Sequence, residues 1–489
     1  MKIYNALKLS VVAALLATPA MVAAKGPSLK IYRDEQRSDT VYAERYYLIG
    51  VTDPGARATI DGRDCHVYRT GSFGAELKLK PGENIVPVTV RQGRDATRRD
   101  VRLVYVTERP AGRRASAPVT TDLAEPVNIT TLEGAYLQHG NGSDRLGGSK
   151  MCFIPAGVEL TADGETGNLY RVALGATDHA YVQKSLVEVG GTGGAVVNTG
   201  SISISNNDST DRIVVALPRR LAFYDRAEID PSTILVTLYG ATNNSNWMTQ
   251  RSTPEMVDYV DLRRDSQDAL TLVIRLKDRY SWGYSVDYQG NNLVIDVRHR
   301  PESLAIKDLV VGLDAGHGGE NPGAISPSGL TEKEVNLDII LKAAEILRGM
   351  GARVVLTRDG DTGPSMTERK RIWREGGVDI AISVHNNASG NPLVPMGTSA
   401  YYKHISSRDL ARDLHESMLS LGLANFGLTG NFNFSLNMPT EYPNALVEVL
   451  FMSSLPEEEL LADPDYRTRL AQKVVDGLLN YLKRVEASL

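Results

Sequence analysis

The hydrophobic pattern of the chain changes near residue 308, and the change separates two fold classes. Before it, short runs alternate apolar and polar residues between turn signals such as Asp53-Pro54-Gly55. That pattern is typical of β-rich modules. After it, long apolar strands alternate with amphipathic helices, which predicts an α/β domain with a largely parallel sheet and flanking helices over 308–489. The sequence therefore predicts a multidomain protein with β-rich N-terminal modules and a C-terminal α/β domain.

The β-rich part is divided further by its turns and by two stretches of linker composition. Regularly spaced turn signals predict a β-sandwich over 26–108. The stretch 109–126, rich in Pro, Arg and Ala, is predicted to be a linker. Short strands around Gly-rich turns predict a small β module over 127–189. The run 190–211, rich in Gly, Ser, Thr and Asn, is predicted to be a flexible linker before strands return over 212–300.

The N-terminus has the pattern of a secretory signal peptide. Lys2 and Lys8 precede a short apolar stretch, Leu9 to Ala17, which is followed by the small residues Val22-Ala23-Ala24. The stretch is too short to span about 30 Å of hydrocarbon. We therefore predict that residues 1–24 are cleaved and that the protein is periplasmic or secreted, with no integral membrane span. No Cys lies near the cleavage site, so a lipid anchor there is not expected.

Charge and cysteine content exclude two further classes of protein. The 54 Lys and Arg residues against 59 Asp and Glu give a net charge of −5 without a long basic run. This argues against a nucleic-acid binder, because counterion release needs a concentrated basic face. Only two cysteines, Cys65 and Cys152, are present, which excludes a disulfide scaffold. A single bridge between them is the alternative to two separately buried thiols, which we favour.

Three residues of the α/β domain lie where a parallel sheet collects its ligands. His317 follows the first strand, Glu332 opens the first helix, and His385 closes the strand 379–384. Ligands of α/β sheets bind beyond the carboxyl ends of the strands. Two imidazoles and one carboxylate form a known catalytic zinc set, which leaves a fourth position for water. The sequence therefore predicts that these three residues bind Zn²⁺.

The role of Glu332 depends on how the first helix begins. Thr331 and Glu334 have the spacing of a capping box, so Glu334 is expected to bond the backbone at the helix start. Glu332 is then free to face a metal ion. The alternative is a surface acid that interacts favourably with the helix dipole.

Glu448 lies within the apolar strand sequence "NALVEVLF". A lone carboxylate between Val447 and Val449 is costly to bury unless it is paired or acts as an acid or base. Such a group could take a proton from water and pass it to a leaving amine. Alternatively, it faces the polar side of a half-exposed strand and has no function. The residues themselves leave both interpretations open.

Three separated blocks of the α/β domain resemble the zinc-dependent N-acetylmuramoyl-L-alanine amidases of bacterial cell-wall turnover, of the Amidase_3 type. The blocks begin "VVGLDAGHGGENPG" at 310, "ISVHNNA" at 382 and "PNALVEVLFMSS" at 443. The resemblance implies hydrolysis of the amide between N-acetylmuramic acid and L-alanine in peptidoglycan. It also implies that His317, Glu332 and His385 are the zinc ligands and that Glu448 is the catalytic glutamate.

The β-rich modules carry looser resemblances. The segments "GSFGAEL" and "KPGENIVPVTV" in 26–108 resemble immunoglobulin-like modules, and "HAYVQKSLVEV" at the end of 127–189 resembles SH3-like modules. The strands of 212–300 are similar to the AMIN modules that precede amidase domains. A zinc peptidase acting within the stem peptide and a catalytically silent wall-binding protein are the alternative functions. Peptidoglycan is the expected partner, and a protein activator or divisome partner is left unidentified.

Overall fold

The computed structural model describes residues 26–32, 39–108, 118–143, 146–176, 178–191, 193–230 and 232–489. The predicted signal peptide, residues 1–24, lies outside them. Within the described part of the chain, no helix has both the length and the apolar character that crossing a bilayer requires.

The first module is built from two facing sheets. Its strands are β1 (Leu29–Tyr32), β2 (Thr40–Val41), β3 (Arg45–Thr52), β4 (Arg57–Ile60), β5 (Arg63–Cys65), β6 (Ser72–Lys78), β7 (Gly82–Gln92) and β8 (Asp95–Tyr105). One sheet has the order β1-β3-β6 and the other β2-β8-β7-β4-β5. Val86, Val88 and Val90 alternate into the core along β7, as the pleat of a strand requires. Leu48 and Phe73 of the smaller sheet pack in the same core.

The second module is one seven-stranded sheet. Its strands are β9 (Thr121–Thr131), β10 (Tyr136–Gln138), β11 (Lys150–Phe153), β12 (Glu159–Thr166), β13 (Leu169–Leu174), β14 (Asp178–Gln183) and β15 (Val187–Val189). The order is β11-β10-β14-β13-β12-β9-β15. β9 begins inside the stretch 109–126, so the linker prediction is wrong for the end of that stretch. Asp122 and Thr121 pair with Gly164 and Glu165 through the backbone, which needs no apolar side chains.

The third module consists of two larger sheets and a two-stranded pair. Its strands are β16 (Val197–Asn198), β17 (Ile202–Asn207), β18 (Thr210–Val215), β19 (Phe223–Ile229), β20 (Ser232–Tyr239), β21 (Ala241–Thr242), β22 (Met248–Gln250), β23 (Val257–Arg264), β24 (Ala269–Leu276), β25 (Tyr284–Gln289) and β26 (Asn292–Arg298). The sheet orders are β22-β17-β18-β26-β25 and β19-β20-β24-β23, with β16 beside β21.

The prediction of a flexible linker over 190–211 is also wrong. β17 lies inside this stretch and pairs with β18 over its whole length. Ile202 and Ile204 are buried, so the alternation in "SISIS" is that of a half-buried strand. The second and third modules share one continuous hydrophobic core. Cys152 is buried within it and Cys65 is half-buried in the first module, both as free thiols.

The C-terminal domain is a six-stranded sheet covered by helices. Its elements are β27 (Val310–Ala315), α1 (Glu332–Gly349), β28 (Arg353–Leu356), α2 (Met366–Glu375), β29 (Ile380–Asn387), β30 (Thr398–Tyr401), α3 (Arg408–Leu419), β31 (Asn425–Thr429), β32 (Asn444–Phe451), α4 (Leu455–Ala462) and α5 (Pro464–Glu486). The order is β28-β27-β29-β32-β30-β31. β27 pairs parallel with β28 and β29, β29 pairs parallel with β32, and β30 pairs parallel with β31 but antiparallel with β32. The carboxyl ends of β27, β29 and β32 therefore meet at one edge.

All three β modules contact the C-terminal domain. Arg298 of the third module bonds the carboxylate of Asp379 at 2.6 Å. In the first module, the backbone N–H of Arg69 donates to Glu459 at 2.6 Å. Asn433 of the C-terminal domain donates from its side chain to carbonyl oxygens of the second module. Each β module is thus joined to the C-terminal domain by at least one direct hydrogen bond.

Candidate metal centre

The structure brings His317, Glu332 and His385 together at the carboxyl edge of the sheet. Each offers one ligand atom, and the three atoms lie within 4.8 Å of one another. His317 Nε2 is 3.1 Å from Glu332 Oε2, and His385 Nδ1 is 3.1 Å from Glu332 Oε1. The three residues come from a loop after β27, the start of α1 and the end of β29. The topology of parallel strands explains why positions so distant in the chain meet here.

The start of α1 has the predicted geometry. Glu332 is its first residue, and Thr331 and Glu334 form the capping box. With Glu334 engaged in the cap, the side chain of Glu332 turns towards the two imidazoles. The capping-box prediction is therefore confirmed.

Glu332 is held as an ionised carboxylate. The residue is 4% exposed. Burial would raise its pKa, but hydrogen bonds with His317 and His385 outweigh this effect and keep the pKa well below the usual range. The backbone N–H groups of Asn386 and Ala324 also donate to its two oxygens, at 3.1 and 2.9 Å. A deprotonated, oriented carboxylate is what a metal ligand requires.

Glu448 lies beside the cluster but belongs to a different strand. It is half-buried on β32 and stands opposite His385 in the parallel register of β29 and β32. Burial lowers the pKa of His385, but the carboxylates of Glu332 and Glu448 together raise it above its ordinary value. Glu448 therefore acts electrostatically on the same imidazole that Glu332 bonds.

The donor set and the backbone around it fit a divalent ion such as zinc. His385 Nε2 is buried and has no hydrogen-bond partner among the described residues, which is costly unless another ligand satisfies it. A Cβ at Gly316 would lie 2.3 Å from the His385 ring, and one at Gly323 would lie 2.5 Å from Glu332 Oε2. Glycine at both positions lets the backbone approach the ligands closely. Two imidazoles and a carboxylate match a catalytic zinc set.

Two buried arginines, which the sequence analysis missed, hold the loop that carries His317. Arg369 on α2 is 2% exposed and forms a buried ion pair with Asp314. It also donates to the carbonyl oxygens of Ala315 and His317, at 2.9 and 2.6 Å. Arg358 donates to the carbonyl oxygen of Ala315 at 2.8 Å. These bonds support His317 at a φ of 61°, which is unusual for a residue other than glycine.

A pair of asparagines forms a second support for the cluster of His317, Glu332 and His385. Asn386 donates to Asn336 Oδ1 at 2.8 Å. Asn336 in turn donates to Glu332 Oε1 at 3.2 Å and to the carbonyl oxygen of Gly316 at 3.2 Å. Partners of this kind orient metal ligands and tune their basicity. Neither asparagine lies in a spacing that would indicate this role from sequence.

Aromatic side chains cover one side of the centre. Phe434 packs edge-on against the His385 ring, with the ring centroids 5.4 Å apart. Phe432 lies 6.1 Å from Phe434, and Tyr401 lies 4.5 Å from Phe432, again between centroids. This wall restricts the rotation of His385 and offers apolar faces to a ligand bound at the centre.

The family match of this chain lies in the C-terminal domain. Residues 311–480 match the family model of N-acetylmuramoyl-L-alanine amidases, Amidase_3. The catalytic domain of CwlV, an N-acetylmuramoyl-L-alanine amidase from Bacillus (Paenibacillus) polymyxa var. colistinus, is 34% identical; the match covers 36% of this chain and 98% of that one, with a TM-score of 0.34. The chain belongs to this amidase family through its C-terminal domain, hereafter the amidase domain.

Two curated relatives give the same result. The N-acetylmuramoyl-L-alanine amidase LytC of Bacillus subtilis strain 168 is 32% identical over 187 residues, which is 36% of this chain and 37% of the relative. The N-acetylmuramoyl-L-alanine amidase AmiC of Neisseria meningitidis serogroup B is 27% identical over 219 residues, which is 35% of this chain and 52% of the relative. The chain thus spans between about a third and a half of the length of these relatives.

Proposed function

We propose that this chain is a zinc-dependent N-acetylmuramoyl-L-alanine amidase that hydrolyses the amide between N-acetylmuramic acid and L-alanine in peptidoglycan. The convergence of His317, Glu332 and His385 within 4.8 Å, next to Glu448, carries the proposal. Membership of the amidase family supports the choice of bond. The predicted signal peptide at 1–24 supports a periplasmic or secreted location, where this substrate occurs.

His317, Glu332 and His385 would hold the zinc ion, and Glu448 would move protons. Bound zinc supplies Lewis acidity, which polarises a carbonyl group and makes water more acidic. Glu448 takes a proton from the water that attacks the carbonyl carbon. It then delivers the proton to the amide nitrogen as the C–N bond breaks, leaving a lactyl carboxylate and the free amine of L-alanine. Its half-buried position between Val447 and Val449 limits competition from bulk water.

The β modules would place the amidase domain on the cell wall. We propose that residues 26–108 form an immunoglobulin-like module, that the second module is SH3-like and that the third is AMIN-like. Their direct contacts with the amidase domain, such as that of Arg298 with Asp379, support a fixed arrangement rather than independent tethers.

Digestion of purified peptidoglycan by the mature chain tests the proposal. We expect peptides with a free N-terminal L-alanine, identified by mass. Glu448→Gln should retain zinc, measured by elemental analysis, but lose about 10²–10⁴-fold in rate, the usual contribution of a general acid–base. Glu345→Gln, an exposed position on α1, is the matched control and should cleave normally.

Three results would contradict this assignment. Peptides that begin beyond L-alanine would indicate a peptidase acting within the stem. Absence of both zinc and products would indicate a silent wall-binding protein. Equal rates for the wild type and Glu448→Gln would remove Glu448 from the chemistry.

A further inference from the structure

Three lysines meet where the second module packs against the amidase domain. Lys150 opens β11, Lys370 lies on α2 and Lys403 follows β30, and all three are half-buried. Lys403 Nζ donates to the carbonyl oxygen of Lys150 at 2.9 Å and to Asn431 Oδ1 at 2.7 Å. We call Lys150, Lys370 and Lys403 the lysine cluster. It combines residues from two modules that are distant in sequence.

The members of the lysine cluster destabilise one another as cations. Burial lowers the pKa of all three, and the positive charge of Lys150 lowers the pKa of Lys370 and Lys403 further. Among the described residues, none of the three has a carboxylate within 4.0 Å. Half-buried cations that repel one another cost free energy unless an anion offsets them.

Two acids close to the lysine cluster, Glu441 and Asp225, form no ion pair with it. Glu441, which acts on Lys370, accepts a hydrogen bond from Arg374 at 2.8 Å. Asp225 accepts a hydrogen bond from the hydroxyl of Tyr284 at 2.8 Å. Among the described residues, no direct ion pair with a carboxylate therefore offsets the positive charge of the cluster.

A cavity gives an anion access to two of the lysines. Lys150 and Lys403 line a cavity of about 180 Å³, whose wall also includes His139, Arg226 and His404. One water molecule occupies about 30 Å³ in the liquid, so the cavity can hold a carboxylate with its attached carbon and some water. Asp225 also lines the cavity, but burial raises its pKa, which favours the neutral form. The lysines, the arginine and the histidines of the wall can donate hydrogen bonds, which suits a bound carboxylate.

The lysine cluster is joined directly to the wall of the metal centre. The backbone N–H of Lys150 donates to Asn433 Oδ1 at 3.0 Å. The next residue, Phe434, packs on the ring of His385. An extended peptide advances about 3.3 Å per residue, so each residue that leaves the centre across Phe434 carries the peptide that much further towards Asn433 and the cluster.

We propose that the lysine cluster binds a carboxylate of the peptide on the amine side of the scissile amide. This inference rests on the proposed function, because it takes the substrate to be a muramyl peptide. The cluster would then fix the direction in which the peptide leaves the metal centre. It would also make recognition of the peptide a joint property of the amidase domain and the second module.

A cycle of protein and substrate variants tests the inference. The full mature chain and its Lys150→Met/Lys370→Met variant are compared on synthetic muramyl peptides in which one carboxylate at a time is replaced by a carboxamide. For the wild type, one such replacement should raise KM about ten-fold, as expected for the loss of a hydrogen bond between charged groups. On the unmodified peptide, the double variant should show a KM as high as that of the wild type on the carboxamide peptide. Replacing the carboxylate should not raise the KM of the double variant further.

Two further variants separate charge from packing. Lys150→Arg keeps the charge and should retain the response to the carboxamide. Lys483→Met removes an exposed lysine of α5 and should behave as the wild type. A double variant that raises KM equally for every peptide of the set would overturn the inference.

Failure of the proposed function gives a different pattern. In that case the wild type cleaves none of the muramyl peptides. Calorimetric binding of the free peptide then decides the inference without any cleavage. Affinity that falls about ten-fold in Lys150→Met/Lys370→Met supports the carboxylate site, whereas equal affinity for both proteins refutes it.

Discussion

Replacing Arg369 by methionine should destabilise the amidase domain by about 3–5 kcal/mol, because it breaks a buried ion pair from one side. Arg369 and Asp314 are 2% and 1% exposed. Burial raises the pKa of Asp314, but Arg369 and His385, together with hydrogen bonds from Ser383 and Thr357, bring the pKa below the ordinary value, so Asp314 is charged in the native protein. The Arg369→Met substitution would leave that charge without its cation and would leave the carbonyl oxygens of Ala315 and His317 without their shared donor.

Urea unfolding followed by tryptophan fluorescence measures this effect. Trp282 and Trp373 are buried in cores of the amidase domain, whereas Trp247 is 70% exposed and contributes little to the change. Arg371→Met is the matched control, since Arg371 lies on the same helix but forms only exposed ion pairs. Such pairs contribute about 0–1 kcal/mol.

Zinc affinity provides a second readout of the same substitution. Without Arg369 the loop that carries His317 loses a support, so affinity should fall about 10–100-fold, as for other partners that orient metal ligands. If Arg369→Met and Arg371→Met cost the same free energy of unfolding and bind zinc equally, then Arg369 does not organise the loop.

Two other substitutions test a close backbone approach and a buried acid in the amidase domain. Gly316→Ala would place a Cβ 2.3 Å from the His385 ring, so zinc affinity should fall at least about ten-fold. Gly349→Ala is the control, because a Cβ there meets open space and should leave zinc affinity unchanged. Equal zinc affinities for the two variants would contradict this prediction. Burial raises the pKa of Glu457 to about 7 in the folded protein, whereas an unfolded chain has a glutamate pKa of about 4. Protonated Glu457 therefore stabilises the fold fully below about pH 4, and this stabilisation is lost as the pH rises through 7. The free energy of unfolding of the wild type, measured by urea titration, should therefore fall between pH 5 and pH 8 by on the order of 2 kcal/mol, and Glu457→Gln should remove this decline. An unchanged decline in the variant would refute the assignment.

The grouping of His317, Glu332 and His385 could be predicted because it depends on backbone topology. His317 and His385 follow strands that a parallel sheet aligns at one edge, and the capping box explains which glutamate of α1 is free to join them. These signals are local, and each can be recognised within a few residues. For Glu448, the register of β32 places the residue beside His385. Its chemical role stays a prediction until the Glu448→Gln variant is measured.

The buried arginines could not be predicted, because their environment is made by distant residues. Arginine is mostly exposed in proteins, and nothing next to Arg369 in the sequence indicates burial. Its partners, Asp314 and the carbonyl oxygens after β27, become neighbours only when α2 packs on the sheet. The linker prediction for residues 190–211 is wrong for a related reason. Its composition is that of a linker, but β17 gains its stability from the backbone pairing with β18 and from the core shared by two modules.

The isolated amidase domain and the whole chain should differ in their choice of substrate. The three proposed ligands, Glu448 and the two buried arginines all belong to that domain, so the proposed chemistry draws on no residue of another module. Lys150, however, comes from the second module, and that module shares its core with the third. The third module is in turn fixed to the amidase domain by Arg298 and Asp379. If the lysine cluster binds the peptide, an isolated amidase domain keeps its reaction but loses the preference for the carboxylate, so substrate selection belongs to the assembled chain.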